Sequence, residues 1–156
     1  MVSDTSGIWV AVDVGTVRVG VARSDPRGVL ALPVATLARD KRRDRDIAEL
    51  AGLVREYEAV GVVVGLPRTL AGREGPSAGM AREYGARLAA AIEPTPVLYQ
   101  DERLTTVSAT RKLAQSGVRA KAGRAVIDQA AAVELLQHWL DVIRQHDRTT
   151  ETPGSD

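Results

Sequence analysis

Apolar residues fill every position but one between 8 and 14, in the run Ile8-Trp9-Val10-Ala11-Val12-Asp13-Val14. Alternation sends Ile8, Val10, Val12 and Val14 to one face and Trp9, Ala11 and Asp13 to the other, which predicts a half or fully buried strand. Gly15-Thr16 supplies a tight turn, and 18–24 (R-V-G-V-A-R-S) alternates as the returning strand of a hairpin. Asp25-Pro26-Arg27-Gly28 places Pro and Gly where a type I turn wants them, so 29–37 reads as a third antiparallel strand. The period then lengthens: Ile47, Leu50, Val54 and Tyr57 recur at helical spacing over 44–58, with Asp44 and Asp46 suited to the positive end of the helix dipole. Val60-Gly61-Val62-Val63-Val64-Gly65 is a continuous apolar run of the kind found in central parallel strands, and a Gly-rich loop follows over 66–75. Pro76 opens a helix that reaches about 92, Pro94-Thr95-Pro96 ends it, and 97–100 forms another strand. Thr105 or Thr106 caps a helix that runs to Ser116 and stops at Gly117, and a long final helix spans about 123–145.

Three antiparallel strands, then two parallel strands joined by helical crossovers, predict an α/β fold with a mixed five-stranded sheet flanked by helices. At 156 residues the chain suits one domain, expected over 1–146, with 147–156 a disordered tail poor in core-forming residues. The composition is ordinary for a soluble globular chain, with 44% hydrophobic and 26% charged residues. Phe is absent, so the core must be aliphatic; Cys is absent, which excludes disulfides, thiolate metal sites and cysteine nucleophiles. The N-terminus shows no basic region followed by an apolar one, and no apolar run approaches the ~18 residues of a membrane span, so a cytoplasmic protein is expected. A net charge of +1 does not announce a nucleic-acid binder, and any basic surface must be local.

The exception at position 13 governs the functional reading. An ionised carboxylate in a buried strand needs a cation, strong donors or a shifted pKa, since its uncompensated burial costs several kcal/mol. On a helical wheel, Ala132, Val133, Leu135, Leu136, Trp139, Leu140, Val142 and Ile143 form one arc of the final helix, and Asp128 falls inside it. Glu134, Gln137, His138, Asp141 and Arg144 form the opposite, polar arc. A third acidic site, Asp101-Glu102, directly follows a short parallel strand, where side chains emerge at the crevice of such sheets. Carboxylates within ~4 to 6 Å of each other would be driven to protonate unless a cation neutralised them. Oxygen ligands without Cys or His suit Mg²⁺ or Mn²⁺, and two such ions ~3.5 to 4 Å apart can clamp an in-line phosphodiester displacement. Simpler roles stay open for each acid alone: Asp13 could accept from the Gly15-Thr16 amides, Asp128 could serve the helix dipole, and Glu102 could pair with Arg103.

The segments Ala11-Val12-Asp13-Val14-Gly15-Thr16-Val17-Arg18-Val19-Gly20-Val21-Ala22, Val64-Gly65-Leu66-Pro67, Asp101-Glu102-Arg103-Leu104-Thr105-Thr106 and Val126-Ile127-Asp128-Gln129-Ala130-Ala131 together resemble the YqgF/RuvX family. That resemblance runs from about Ile8 to Asp141. It implies a ribonuclease H-like fold and a Holliday-junction-resolvase-like nuclease, associated with maturation of the 5′ end of precursor 16S rRNA in ribosome biogenesis. It further implies that Asp13, Glu102 and Asp128 are catalytic and metal-binding, with Asp101 their neighbour. Lys121, the basic residue ahead of the last acid, would contact phosphate or offset transition-state charge, although a solvated helix-start lysine explains it as well. The loop Arg68-Thr69-Leu70-Ala71-Gly72-Arg73 departs from the family pattern in lacking an acidic residue before its glycine.

The basic residues Arg68, Arg73, Arg103, Arg111, Lys112, Arg119, Lys121 and Arg124 follow Gly65 and flank the expected site, where they suit phosphate contacts. The cluster over 39–45 is interleaved with Asp and reads as a solvated loop. Aromatics at 3% leave no stacking platform for single-stranded bases, so recognition by backbone and shape is expected. The expected partners are precursor rRNA or the pre-ribosomal small subunit, with branched DNA as the alternative. Monomer and homodimer both stay open, since Trp139 and Leu140 suit either a core or an interface. Asp13-Val14-Gly15-Thr16 also looks like the first phosphate turn of actin-like ATPases, but one domain cannot supply the two lobes they need. A catalytically silent nucleic-acid-binding module is the third alternative.

Overall fold

The computed structural model describes residues 4–69, 71–102 and 121–150, the side chains of 121–125 and 147–150 excepted. The strands β1 (Trp9–Val14), β2 (Arg18–Ser24), β3 (Ala31–Ala38), β4 (Gly61–Leu66) and β5 (Val97–Asp101) form one sheet in the order β3-β2-β1-β4-β5. The pairs β1–β2 and β2–β3 are antiparallel; β1–β4 and β4–β5 are parallel. Helices α1 (Arg45–Glu56), α2 (Pro76–Ile92) and α3 (Lys121–Thr150) complete the described elements.

Alternation along the central strands sorts the core into two layers. Val10, Val12 and Val14, with Val62, Val64 and Leu66, pack against Ile47, Leu50 and Val54 of α1 and Ala81, Tyr84 and Leu88 of α2. On the opposite face Trp9, Ala11, Ala22 and Val63 pack against Ala132, Leu135, Leu136, Trp139 and Leu140 of α3. Trp139 and Leu140 are therefore core residues, and the Trp9 and Trp139 rings meet at 4.4 Å between centroids. Aliphatic side chains make up most of both layers, but the expectation of a wholly aliphatic core is corrected by buried Tyr84 in the first and Trp9 and Trp139 in the second.

Local chemistry sets the element ends. β3 starts at Ala31 rather than 29 because the Asp25 carboxylate accepts the N–H groups of both Val29 and Leu30 at 2.8 Å, taking them out of the ladder. Its Pro33 is tolerated on an edge strand beside a register shift in β2. α1 stops at Glu56, two residues before the expected end, because Glu58 adopts a left-handed conformation (φ 51°). α2 begins at Pro76, with the ring in the first turn where no N–H is needed. α3 is longer than its periodicity predicts, running from Lys121 to Thr150, so four residues assigned to the tail are helical. The expected helix over 105–116, its stop at Gly117, Arg103, Arg111, Lys112 and Arg119, and the tail from 151 lie outside the described residues.

Gln137 is a correction to the wheel. Placed there on the solvent arc, it instead accepts from the Ala31 N–H (2.9 Å) and donates to the Val29 carbonyl (2.8 Å), pinning α3 to the start of β3. A helical wheel cannot anticipate that the sheet's edge curls round to meet the helix flank.

Candidate nuclease site

Asp13 lies one residue from the C-terminal end of β1, on the α3 face, and is 5% exposed. Its partner on β2 is Gly20. On the other side Val12 pairs with Val64, which puts Gly65 of β4 beside Asp13. Both flanking residues thus lack a side chain, and the two gaps are used. A Cβ on Gly20 would fall 2.0 Å from the Asp128 carbonyl oxygen and 3.3 Å from the Asp128 Cβ, so the start of α3 descends onto bare backbone there. A Cβ on Gly65 would fall 2.4 Å from Glu102 Oε1 and 3.1 Å from Leu135 Cδ2. Asp13 therefore stands between two glycines, one roofed by Asp128 and the other by Glu102.

Glu102 directly follows β5 and is 4% exposed, so two of the three acids are buried. The Asp128 side chain is partly exposed, and its Oδ2 accepts from Arg18 Nε at 2.7 Å. The three acids gather at one end of β1, yet among the described residues no three carboxylate or imidazole groups close into a ready-made metal cage. Arg18 was not anticipated as a site residue. Its signal lay in the alternation: Arg18 shares parity with Gly20 and Ala22, which face α3 and Asp13.

The turn after Asp13 is braced from behind. The Gly15 N–H bonds the Arg18 carbonyl (2.9 Å), the Arg39 N–H bonds the Val17 carbonyl (2.9 Å), and Arg39 Nη1 reaches the Gly15 carbonyl (3.2 Å). The Arg39 guanidinium also lies over the Tyr84 ring at 5.1 Å. Tyr84 in turn donates its hydroxyl to the buried Asp46 carboxylate (2.9 Å), which also accepts from the Asp40 N–H (3.2 Å). Burial, then that hydrogen bond to an acid, push the Tyr84 phenol far above its ordinary pKa. Asp46, expected to serve the helix dipole, is thus a buried, hydrogen-bonded carboxylate on the face opposite the site.

Beside β4 and β5 an ionic chain holds the loop. Arg82 of α2 clasps Glu74 through two bonds (2.6 and 2.8 Å), Arg68 lies 3.7 Å from Glu74 and 3.9 Å from Asp101, and the Arg82 guanidinium covers the Tyr99 ring. The Arg82 contact holds the Glu74 carboxyl below its usual range. Arg68 is thereby placed at the carboxyl ends of the parallel strands. Arg73 sits exposed on the same loop, its N–H bonded to Thr69 Oγ1 (3.1 Å). The side chains of Lys121 and Arg124 lie outside the described residues.

A family model described as "RuvX: Holliday junction resolvase" matches residues 7–142. The chain belongs to the RuvX family. Among its curated relatives, a Mycobacterium sp. (strain KMS) protein named "Putative pre-16S rRNA nuclease" is 61% identical over 135 residues, covering 86% of this chain and 80% of the relative. A Frankia casuarinae protein of the same name is 57% identical over 134 residues, covering 86% of this chain but 66% of its own length. The solved structure of T. thermophilus RuvC in complex with a Holliday junction substrate superposes with a TM-score of 0.53 at 16% identity, covering 89% of this chain and 96% of that one. The RuvX chain therefore has the RuvC-like, ribonuclease H-like fold that the family resemblance implied.

Proposed function

We propose that this chain is a divalent-metal-dependent nuclease that hydrolyses phosphodiester bonds in the maturation of precursor 16S rRNA, with Asp13, Glu102 and Asp128 as its catalytic, metal-binding acids. The observation that carries this reading is the placement of Asp13 between Gly20 and Gly65, with Asp128 and Glu102 converging through the space those glycines leave. The substrate class comes from the names its relatives bear.

The donor set fits a hard cation. All three candidate ligands are carboxylates, two of them are buried, and the sequence has no thiol to favour a softer metal. One or two Mg²⁺ or Mn²⁺ ions held there would supply Lewis acidity toward the phosphoryl group and a more acidic attacking water. The chain's own part is to fix Asp13 on a central strand, where neither its backbone nor its neighbours can drift, and to hold Glu102 rigidly against β4. Arg68 and Arg73 on the loop after β4, with Arg103, Lys121 and Arg124, supply the phosphate contacts that position a backbone across the acids. Asp101 orients Arg68 at 3.9 Å. The protein acts in the cytoplasm on the pre-ribosomal small subunit; among the described residues no helix is long and apolar enough to cross a membrane.

The family description favours a second substrate, branched DNA. A single assay separates the two: purified protein with Mg²⁺ or Mn²⁺ against a precursor 16S rRNA transcript and a synthetic four-way junction. Cleavage of the transcript is expected, abolished by chelation and reduced at least roughly 100-fold by Asp13→Asn with the fold intact. Preferential cutting of the junction would reassign the substrate. Activity on neither, or a fully active Asp13→Asn protein, would defeat the nuclease reading.

A further inference from the structure

Arg18 opens β2 at the position opposite the turn that follows Asp13, and its parity with Gly20 turns it toward α3. From this open end of the site it reaches Asp128 through Nε alone, and among the described residues its two terminal nitrogens enter no other hydrogen bond or ion pair. Both side chains are about one-third exposed, at 34% and 27%, so the pair is solvated and weak. The guanidinium is thus a positive charge already lodged against one of the three proposed metal-binding acids.

A divalent ion drawing Asp128 toward Asp13 and Glu102 would meet that charge. Two cations at one carboxylate repel each other, and a weak, half-solvated ion pair is the partner that yields. The displaced group would be a planar guanidinium with five donors, free at the rim of the site, a geometry matched to a phosphate diester. We propose that Arg18 is a built-in counter-cation: it holds Asp128 in the metal-free protein, gives up that carboxylate to the divalent ion, and then binds a backbone phosphate of the nucleic acid. This rests on the metal-dependent nuclease reading. It makes phosphate capture contingent on metal loading.

The test is calorimetric titration of the full chain with Mn²⁺, together with RNA binding measured without turnover. Arg18→Gln removes the competitor and should tighten Mn²⁺ roughly 2- to 5-fold, the range expected for losing one exposed ion pair. That gain should vanish in the Asp128→Asn background, where there is no pair to break. In Ca²⁺, the salt dependence of binding to the precursor transcript should lose about one phosphate contact, and in EDTA it should not change. Arg18→Lys, which keeps the charge, should restore the Ca²⁺ slope and guards against a folding defect in the glutamine variant. Unchanged or weaker Mn²⁺ binding by a folded Arg18→Gln protein would overturn the proposal. So would an equal gain in the Asp128→Asn background, or a slope change that persists in EDTA. If Asp13→Asn abolishes Mn²⁺ binding while Arg18→Gln does not tighten it, only the role of Arg18 falls. If wild type and Asp13→Asn bind Mn²⁺ equally poorly, the metal reading falls and takes this proposal with it.

Discussion

Replacing Gly65 by Ala moves one acid without touching its chemistry. The added Cβ would lie 2.4 Å from Glu102 Oε1, against an ordinary contact of about 3.5 Å, so the carboxylate must retreat by about 1 Å. The backbone itself does not object, because Gly65 is not among the residues with positive φ. Overpacking against Glu102 and Leu135 costs about 1–3 kcal/mol, and the stiffer unfolded chain returns about 0.4–1 kcal/mol. A net loss of at most about 2.6 kcal/mol leaves the protein folded. A displacement of about 1 Å at a reacting group, however, lowers the rate by about 100-fold. The expected result is therefore a folded and nearly inactive protein, read by urea unfolding alongside single-turnover cleavage of the precursor transcript. Gly20→Ala is the contrast: its Cβ would sit 2.0 Å from the Asp128 carbonyl oxygen, which cannot retreat unless α3 lifts, so about 3 kcal/mol or more of stability should go first. A Gly65→Ala protein that cleaves at the wild-type rate would refute the placement of Glu102 among the reacting groups.

Other consequences are separable from the site. Tyr84→Phe strips the buried Asp46 carboxylate of one of its two described donors and should cost about 1–3 kcal/mol in urea unfolding, with cleavage per folded molecule unchanged; a loss below about 0.5 kcal/mol would mean the bond contributes nothing. Gln137→Ala removes the two bonds that pin α3 to β3 and should cost about 1–2 kcal/mol by the same measurement. Asp25 accepts three backbone N–H groups, of which the Leu30 bond contributes most to depressing its pKa. A depressed folded pKa adds stability above the ordinary aspartate value, and that stability is lost as the pH falls through the lower, folded value. Wild type should therefore exceed Asp25→Asn in stability at pH 7 and converge with it in acid; a difference independent of pH would exclude the charge as its cause.

Most of the architecture was legible because burial on both faces leaves a simple trace. The 2.0 period of 8–14 sorted Trp9 and Ala11 from Val10 and Val12, and those residues do enter different cores. Pro76 and the Val60–Gly65 run marked their elements within a residue. What escaped were interactions between distant segments. Nothing local tells that Asp25 withdraws two amides from β3, or that Gln137 turns inward. At the site, Asp13 stood out as a charge in an apolar strand, whereas Glu102 and Asp128 drew attention only as a set. Arg18 was hidden because an arginine at the mouth of a strand reads as ordinary surface. Gly20 and Gly65 passed as strand glycines, since the need for an absent side chain is visible only once the roofing residues are in place.

The Arg18–Asp128 contact closes a loop of 110 residues, and the whole apolar face carrying Trp9, Ala11 and Val63 is covered by the last helix. During synthesis the sheet and its first two helices emerge before the helix that packs on that face. A nascent chain ending before Lys121 holds Asp13 without Asp128 and without the layer that dries the site. On the proposed role of Asp128, catalytic competence arrives only when α3 docks. On that reading, ribosomes carrying such unfinished chains present no active nuclease to the rRNA around them, and a 1–120 truncation should be protease-sensitive and inert.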